Sequence, residues 1–455
     1  MLTADDNEML TRTGRGTPMG ELFRRFWTPV LLSEELAGAD GDPVRVRVMG
    51  EDLVAFRDSV GRVGVVDPRC SHRGADLFLG RNEECGLRCV YHGWKFDVAG
   101  ACVDAPTVGP PEETVRFREG SAITAYPAEE RGGIVWAYLG PPEQRPPLPD
   151  LELFEVAESH RFASKKLQEA NWAQLCEGGL DTAHFSFVHM PVDVDALDIG
   201  TGAGGAGQQH TRWMKNDPRP RFSVKAHPGG LAMGGARRAD PGQAYWRVAQ
   251  FLLPNHGLAP SAMKGRTYTG QTWVPIDDET TWVFCYSWNP DRPLEANERG
   301  YVAGVPSIYS EVDERYVPVR NRANGYLLDR DVQRRLTYSG IEGVSEQDAA
   351  VQESQGTIAD RTRERLGPTD LGIVRFRKLV LDMAKALTDG VEPEVAMTPE
   401  AFRVRSGAIV VDEALDFDDV LLARFGTPNG EVETPPATGA AEAPVATERA
   451  DVVAG

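Results

Sequence analysis

Cys70-Ser-His72 and Cys89-Val-Tyr-His92 form two short pairs, each offering one thiolate and one imidazole, with sixteen residues between them. No other feature restricts this chain so strongly, because four such side chains must meet at one metal centre and the backbone must turn to bring them there. Gly74 follows the first pair and Gly93 the second, so two turn loops can fold their backbone close against that centre. Two Cys and two His suit tetrahedral zinc as well as an iron-sulfur cluster with both thiolates on one iron and both imidazoles on the other. Spacing alone does not separate the two. Cys85 lies four residues before Cys89; taking it as a ligand would spoil the Cys-x-x-His pairing, so it reads as a non-ligand.

The stretch CSHRGADLFLGRNEECGLRCVYHGWKFDVAG strongly resembles the Rieske signature of aromatic ring-hydroxylating oxygenases, Cys-x-His followed by Cys-x-x-His-Gly-Trp. The resemblance implies a [2Fe-2S] Rieske cluster held by Cys70, His72, Cys89 and His92. High-potential respiratory Rieske proteins are similar here too, but usually add a disulfide-bonded cysteine to each loop and a serine after His-Gly. Those places hold Ala75, Tyr91 and Trp94. Fewer hydroxyl donors to the sulfurs place the expected potential near the low end of the roughly −150 to +300 mV Rieske range, which suits oxygen activation.

A second constellation lies in NWAQLCEGGLDTAHFSFVHMP, residues 171–191, with Asp181-x-x-His184 and then His189. The segment predicts a helix near 169–187. On such a helix Asp181 and His184 share a face, but His184 and His189 stand about 140° apart, too far to converge on one metal. The helix must therefore end or distort before His189, and Pro191 supports such an end. Two histidines and one carboxylate with open positions make the facial triad of ferrous oxygenases. The carboxylate has to come from elsewhere. Asp348, in GVSEQDAAVQESQG, opens an expected helix followed by unusually polar residues; Glu353, Asp360 and Asp370 compete with it. The oxygenase family carries its acidic ligand in a similar Gln-Asp or Glu-Asp helix start, and that resemblance decides for Asp348. It also implies that Asp181 bridges an iron-ligating histidine and a cluster histidine of an adjacent subunit, linking His184 to His92 or His72 in a trimer. Glu177, one turn before Asp181, reads either as part of the polar network or as a solvated side chain.

The remaining sequence organises these sites. Residues 16–36 mix apolar and charged residues at helix-like intervals, interrupted by Pro29, and read as an entry segment. Alternating β-branched residues from Val44 to Val66 predict a small antiparallel region that continues through GGIVWAYLG at 132–140. The Pro-rich 141–150 marks a boundary. Beyond it, RFSVKAH, QTWVPI and TWVFCYSW predict strands, and helices are expected from about 346 to 390. The expected fold class is α+β. An all-β Rieske domain with its entry segment spans 1–145, a catalytic domain with an antiparallel sheet flanked by helices spans 146–427, and a disordered acidic tail spans 428–455. The run GTGAGGAG at 200–207 formally holds a Gly-x-Gly-x-x-Gly spacing, but no strand leads into it, and it reads as a loop near the active site rather than a dinucleotide site.

A formal net charge of −19 argues against nucleic acid or an anionic membrane surface as partners. No stretch has the apolar length to span a bilayer, and the N-terminus carries acids where a secretory signal has bases, so a cytoplasmic location is expected.

From residue 1 to about 426 the chain is similar to oxygenase subunits of the phthalate dioxygenase type. The resemblance implies a mononuclear Fe(II) beside the cluster, a reductase or ferredoxin as electron donor, dioxygen and a small aromatic substrate, and a homotrimer or stacked hexamer. Outcomes within the family include cis-dihydroxylation, monohydroxylation and O- or N-demethylation. An aromatic acid would need an arginine partner, and Arg212 and Arg247 are candidates by similarity of position, against a reading of each as an ordinary surface ion-pair residue. From other classes, a Rieske electron carrier without oxygenase activity and a zinc-binding interaction module are the rivals.

Overall fold

The computed structural model of the chain describes residues 1–110, 112–194, 207–260, 267–305 and 307–432. Apart from Gly207, the glycine-rich run at 200–207 lies outside the described residues, as does the tail beyond 432.

Two short helices open the chain, α1 (Ala4–Thr11) and α2 (Pro18–Phe23), started by Thr3 and Thr17, whose hydroxyls accept from backbone N–H groups one turn on. The helix-like intervals stop there. Residues Trp27–Leu32 form a fully buried strand, β1, at the edge of a sheet. Pro29 is tolerated because an edge strand spares its missing N–H, and the register shifts between Pro29 and Leu31.

The meander expected from Val44 to Val66 is present as β2 (Val44–Val48), β3 (Glu51–Arg57) and β4 (Val63–Val66). A second small sheet follows, built from β5 (Arg81–Glu83), β6 (Gly86–Arg88), β7 (Lys95–Phe96) and β8 (Cys102–Asp104). After α3 (Val115–Glu119), β9 (Ala125–Tyr126) extends the meander. Then β10 (Ala128–Arg131) and β11 (Ile134–Tyr138) join β1 in a three-stranded sheet, ordered β1-β11-β10.

The second half is an eight-stranded antiparallel sheet flanked by helices. It begins with β12 (Arg161–Gln168), followed by α4 (Trp172–Leu180) and α5 (Gly207–Asn216). The hairpins continue through β13 (Arg221–His227), β14 (Gly230–Arg238), β15 (Gln243–Leu252), β16 (His256–Leu258), β17 (Tyr268–Pro275) and β18 (Thr281–Trp288). The helices α6 (Arg330–Arg335), α7 (Val344–Glu353) and α8 (Leu371–Thr388) come next, then β19 (Gly407–Asp412) and α9 (Phe417–Phe425). Strand order is β12-β18-β17-β16-β15-β14-β13, with β19 pairing along β15 beyond the end of β16.

One hydrophobic core joins the halves, running from Trp136 and Tyr138 on β11 to Phe284 and Tyr286 on β18 and Phe376 on α8. Trp172, at the start of α4, meets Phe23 edge-on at 4.9 Å and Phe376 at 6.0 Å, so the helix leading to the second constellation is seated on both halves. The folded body runs further than expected: Arg405 N–H donates to Gly430 O, Val432 N–H donates to Arg403 O, and Glu431 bridges Val404. Residues 428–432 are thus held by backbone pairing rather than belonging to a free tail.

Candidate metal centres

The two Cys/His loops are built alike. Cys70 N–H donates to Ala75 O and Gly74 N–H to Cys70 O; Cys89 N–H donates to Trp94 O and Gly93 N–H to Cys89 O. Each loop closes on its own cysteine within six residues, and each needs a left-handed residue just before it closes. Gly74 at φ +72° and Gly93 at φ +77° supply it without the steric cost that a side chain would add. Cys70 and Cys89 are buried side by side, and His72 and His92 lie edge to face with ring centroids 4.3 Å apart. Trp94 stacks on His72 at 4.5 Å and donates from Nε1 to Thr107 Oγ1.

His92 Nδ1 is buried with no hydrogen-bond partner, and burial pushes the Cys70 thiol up to about 11. An orphaned imidazole nitrogen beside two buried sulfurs is a donor set suited to a metal cluster that displaces both thiol protons. Cys85 stands apart, at positive φ in the hairpin turn between β5 and β6, its N–H donating to Ser59 Oγ. None of the six cysteines forms a disulfide.

The second constellation takes shape at the end of α4. This helix is shorter than the expected 169–187: Asn171 caps its start and it stops at Leu180, ten residues before the expected break ahead of Pro191. Asp181 ends it in extended conformation, and its Oδ1 accepts from Ala183 N–H at 2.6 Å. A side-chain acceptor two residues back competes with helical bonding and turns the chain. His184 follows on a single 3-10 turn, His184–Ser186, and the helical-wheel conflict between His184 and His189 disappears. Pro191 instead lies in a bridge to Thr337.

Asp348 comes from the second turn of α7, which opens at Val344 rather than at Asp348 itself. Its Oδ1 is 3.1 Å from His189 Nε2 and 3.6 Å from His184 Nε2, and the two Nε2 atoms are 3.0 Å apart. Two ligands at cis positions of an octahedral ion with bonds of ~2.1 Å stand about 3.0 Å apart, so these three atoms match one face of such a site. Glu353 accepts from Glu169 N–H and Tyr326 Oη, Asp360 from Thr362, and Asp370 from Gly367 N–H; none of these competing carboxylates joins the group.

The proton positions point the same way. Gln347 Nε2 donates to Ile341 O, which turns its Oε1 toward His189, so His189 Nδ1–H is the donor across 2.7 Å. Asp181 Oδ2 lies 3.4 Å from His184 Nδ1. Each ring therefore carries its proton on the outer nitrogen and faces the other with an Nε2 lone pair, an arrangement that wants a cation between them. Burial pushes the His184 pKa down, but Asp181 and Asp348 more than offset this and leave it above its ordinary value. Sequence reasoning missed Gln347, although it stands directly before Asp348 in the Gln-Asp helix segment.

Two buried arginines approach from the sheet. Arg237 on β14 donates from Nη2 to Thr182 O and Ser186 Oγ, holding the turn that carries His184. Arg247 on β15 lies with its guanidinium 4.2 Å from the Phe185 ring, and that ring sits 4.7 Å from both His184 and His189. Arg247 is no surface residue. Among the described residues no carboxylate pairs with it or with Arg237, and Arg237 Nε and Nη1 and Arg247 Nε have no partner. Arg212 is half-buried on α5, two residues before Met214, whose sulfur is 3.6 Å from Arg247 Nη1. Nothing in the sequence pattern marked Arg237. Glu177 is not solvated: its described partners are the buried Arg361 and Arg377.

Comparison with known proteins fits this geometry. Residues 26–127 match the Rieske [2Fe-2S] domain and residues 137–420 the LigXa C-terminal domain like family. The chain is 38% identical to the 3-chlorobenzoate-3,4-dioxygenase oxygenase subunit of Comamonas testosteroni, over 92% of this chain and 97% of that one. It is also 38% identical to the phthalate 4,5-dioxygenase oxygenase subunit of Pseudomonas putida, over 92% and 94%. A solved structure of an NdmA variant from Pseudomonas putida CBB5 with theobromine shares the fold, with a TM-score of 0.56 at 17% identity, covering 88% of this chain and 100% of that one. The chain belongs to the Rieske non-haem iron aromatic ring-hydroxylating oxygenases, as an oxygenase subunit of the phthalate dioxygenase type that carries a Rieske [2Fe-2S] cluster and a mononuclear iron.

Proposed function

We propose that this oxygenase subunit hydroxylates an aromatic acid, with Cys70, His72, Cys89 and His92 holding the cluster and His184, His189 and Asp348 holding the iron. The observation that carries the substrate class is Arg247: a buried guanidinium without a carboxylate partner among the described residues, packed on the ring that touches both histidines. Met190, Met214 and Tyr245 pack against Phe185, and the cavity that opens on His189 and Gln347 is lined by Tyr301, Val305, Leu327, Leu336 and Ile341, an apolar setting for an aromatic ring. Arg212 is assigned as a second, weaker contact to the carboxylate of the acid. When bound, the cluster supplies electrons singly and the iron activates dioxygen. Asp181 and Gln347 hold the outer ring protons of His184 and His189, and thereby keep both Nε2 lone pairs aimed at one point.

The electron donor is a separate reductase or ferredoxin, and the working form is a homotrimer or stacked hexamer in the cytoplasm. Asp181 retains 28% side-chain exposure, enough for a cluster histidine of a neighbouring subunit to reach it. Phe187 and Tyr338, 52% and 46% exposed, lie edge to face with ring centroids 5.8 Å apart, and Tyr91 beside His92 is 56% exposed; such apolar side chains suit a subunit contact. Light scattering on the full chain is expected to give a trimer or hexamer mass.

The test of function is turnover by protein prepared without oxygen and supplied with ferrous iron and a reductase, on benzoates and phthalates beside their amides. Acids are expected to react with a far higher kcat/KM, and Arg247→Met to abolish that preference. Equal kcat/KM for acids and amides in the unaltered protein would remove the aromatic-acid assignment.

A further inference from the structure

The mononuclear site draws its histidines from the segment after α4 and its carboxylate from α7, and these two helices meet through polar groups. Gln174 Nε2 donates to Gln352 O at 3.1 Å and to Gly356 O at 2.8 Å, while its Oε1 accepts from Ala359 N–H at 2.8 Å. Gln168 Nε2 donates to Gln352 Oε1. Glu177 Oε1 accepts from Arg361 Nε at 2.9 Å and Arg377 Nε at 2.8 Å, and Oε2 from Arg361 Nη2. Gln174, Gln352, Arg361 and Arg377 are all buried.

The positions of these residues connect them to the ligands. Gln174 and Glu177 stand three residues apart on one face of α4, Asp181 follows at its C-terminal end, and Gln352 lies one turn after Asp348 on α7. The Gln352 side chain lies against the α4 backbone, so that a Cβ on Gly178 would stand 2.1 Å from Gln352 Nε2 and 2.9 Å from its Cδ. Apolar contacts allow helices to slide past one another; a buried network of satisfied, directional hydrogen bonds permits one register.

We propose that Gln174, bonded to the Gln352 carbonyl, and Glu177, bonded to Arg361 and Arg377, are positioning residues for the mononuclear metal, fixing the register of α4 against α7 and so the spacing between the two histidines and Asp348. This rests on the reading of those three side chains as the metal ligands. Gly178 belongs to the same device, because only a residue without a side chain lets Gln352 lie against the α4 backbone. Moving α7 by a fraction of an ångström here displaces Asp348, one turn away, by a similar amount.

The experiment is anaerobic titration with cobalt(II), followed by its visible spectrum, on full-length protein with the cluster intact. The variants are His189→Ala, Gly178→Ala, Gln352→Ala and the double variant Gly178→Ala/Gln352→Ala, with melting temperature and sulfide content measured in parallel. His189→Ala tests the ligand reading alone and is expected to lose the cobalt spectrum. Gly178→Ala is expected to weaken cobalt about tenfold, at the lower end of what outer partners of metal ligands do. Its melting temperature and sulfide content should stay near the parent's, since Ala favours a helix over Gly. The double variant is expected to regain most of the affinity, because truncating Gln352 removes the clash while its backbone O still accepts from Gln174. Parental affinity in Gly178→Ala, or no recovery in the double variant, overturns the register role. If Gly178→Ala does not fold, Gln352→Ala against the double variant still decides, since the proposal requires the two to bind cobalt alike within about threefold. Retained cobalt binding in His189→Ala overturns the ligand reading and the positioning role with it.

Discussion

The cluster loops and the mononuclear site reach similar ends by different routes. Each cluster loop is closed by two backbone bonds between residues four and five apart, so the positions of Cys70 and Cys89 are set by their own turns. The triad joins His189 to Asp348, 159 residues further along the chain, and depends on how α4 and α7 lie against each other and against the sheet. A site closed by local backbone bonds tolerates change elsewhere in the fold. One closed between distant elements answers to any change in their spacing.

Breaking the triad should have the largest effect. Asp348→Ala is expected to lower turnover by at least ~10³-fold and to reduce iron from about three to about two per chain, with about two sulfides and the red-brown colour unchanged. Iron and acid-labile sulfide assays on anaerobically purified protein check it; loss of sulfide as well would mean that the two sites are not built independently. Arg247→Met should lower kcat/KM for an aromatic acid by roughly 10²-fold, in line with loss of a charge-assisted pair, and leave both metals in place. Gln347→Leu removes the acceptor for His189 Nδ1–H and should weaken ferrous iron by about 10- to 100-fold without altering the cluster spectrum.

Acid provides a graded version of the same contrast. On the proposed ligand set iron would bind neutral His184, and without metal Asp181 and Asp348 raise the pKa of this ring above its ordinary value despite burial. Protons therefore compete with iron more as pH falls, and the loss begins above pH ~6.5, approaching tenfold in affinity per unit once His184 is mostly protonated. Iron titrations at a series of pH values measure it; a flat affinity from pH 8 to 6 would show that His184 is not a ligand. The smallest effect belongs to the local site. Gly93→Ala places a side chain at φ +77° with its Cβ 3.0 Å from Pro106 Cγ, and should cost about 1–2 kcal/mol, lowering the melting temperature and sulfide content while leaving the mononuclear iron unchanged.

The same contrast explains which parts of the site are legible in the sequence. The Cys70/His72 and Cys89/His92 pairs and their glycines stand out because the turn that makes the site is written within a few residues of it. The strands RFSVKAH and TWVFCYSW are legible for a similar reason, since alternation is a local signal. Trp27–Leu32 is not, because the edge position that admits Pro29 depends on β11, a hundred residues later. His184 and His189 are visible by spacing, yet α4 ends at Asp181 because a carboxylate bonds Ala183 N–H, which a helical wheel does not register. Asp348 is separated from Glu353, Asp360 and Asp370 by family resemblance in the sequence and by position in the fold. Arg237 and the Gln174–Gln352 contact leave no trace in the pattern, as their meaning lies entirely in which elements pack together.

That Arg237 and Arg247 have no carboxylate partner among the described residues has a consequence for charge balance. Asp181 and Asp348 stand beside the two histidines, and neither forms an ion pair with Arg237 or Arg247 among the described residues. A bound dication adds two positive charges to this interior, inside a chain whose formal charge is −19. Electroneutrality is restored by anions, and an entering carboxylate is one. The overall negative charge repels such a substrate at long range, whereas the centre it must reach is electrically incomplete without it.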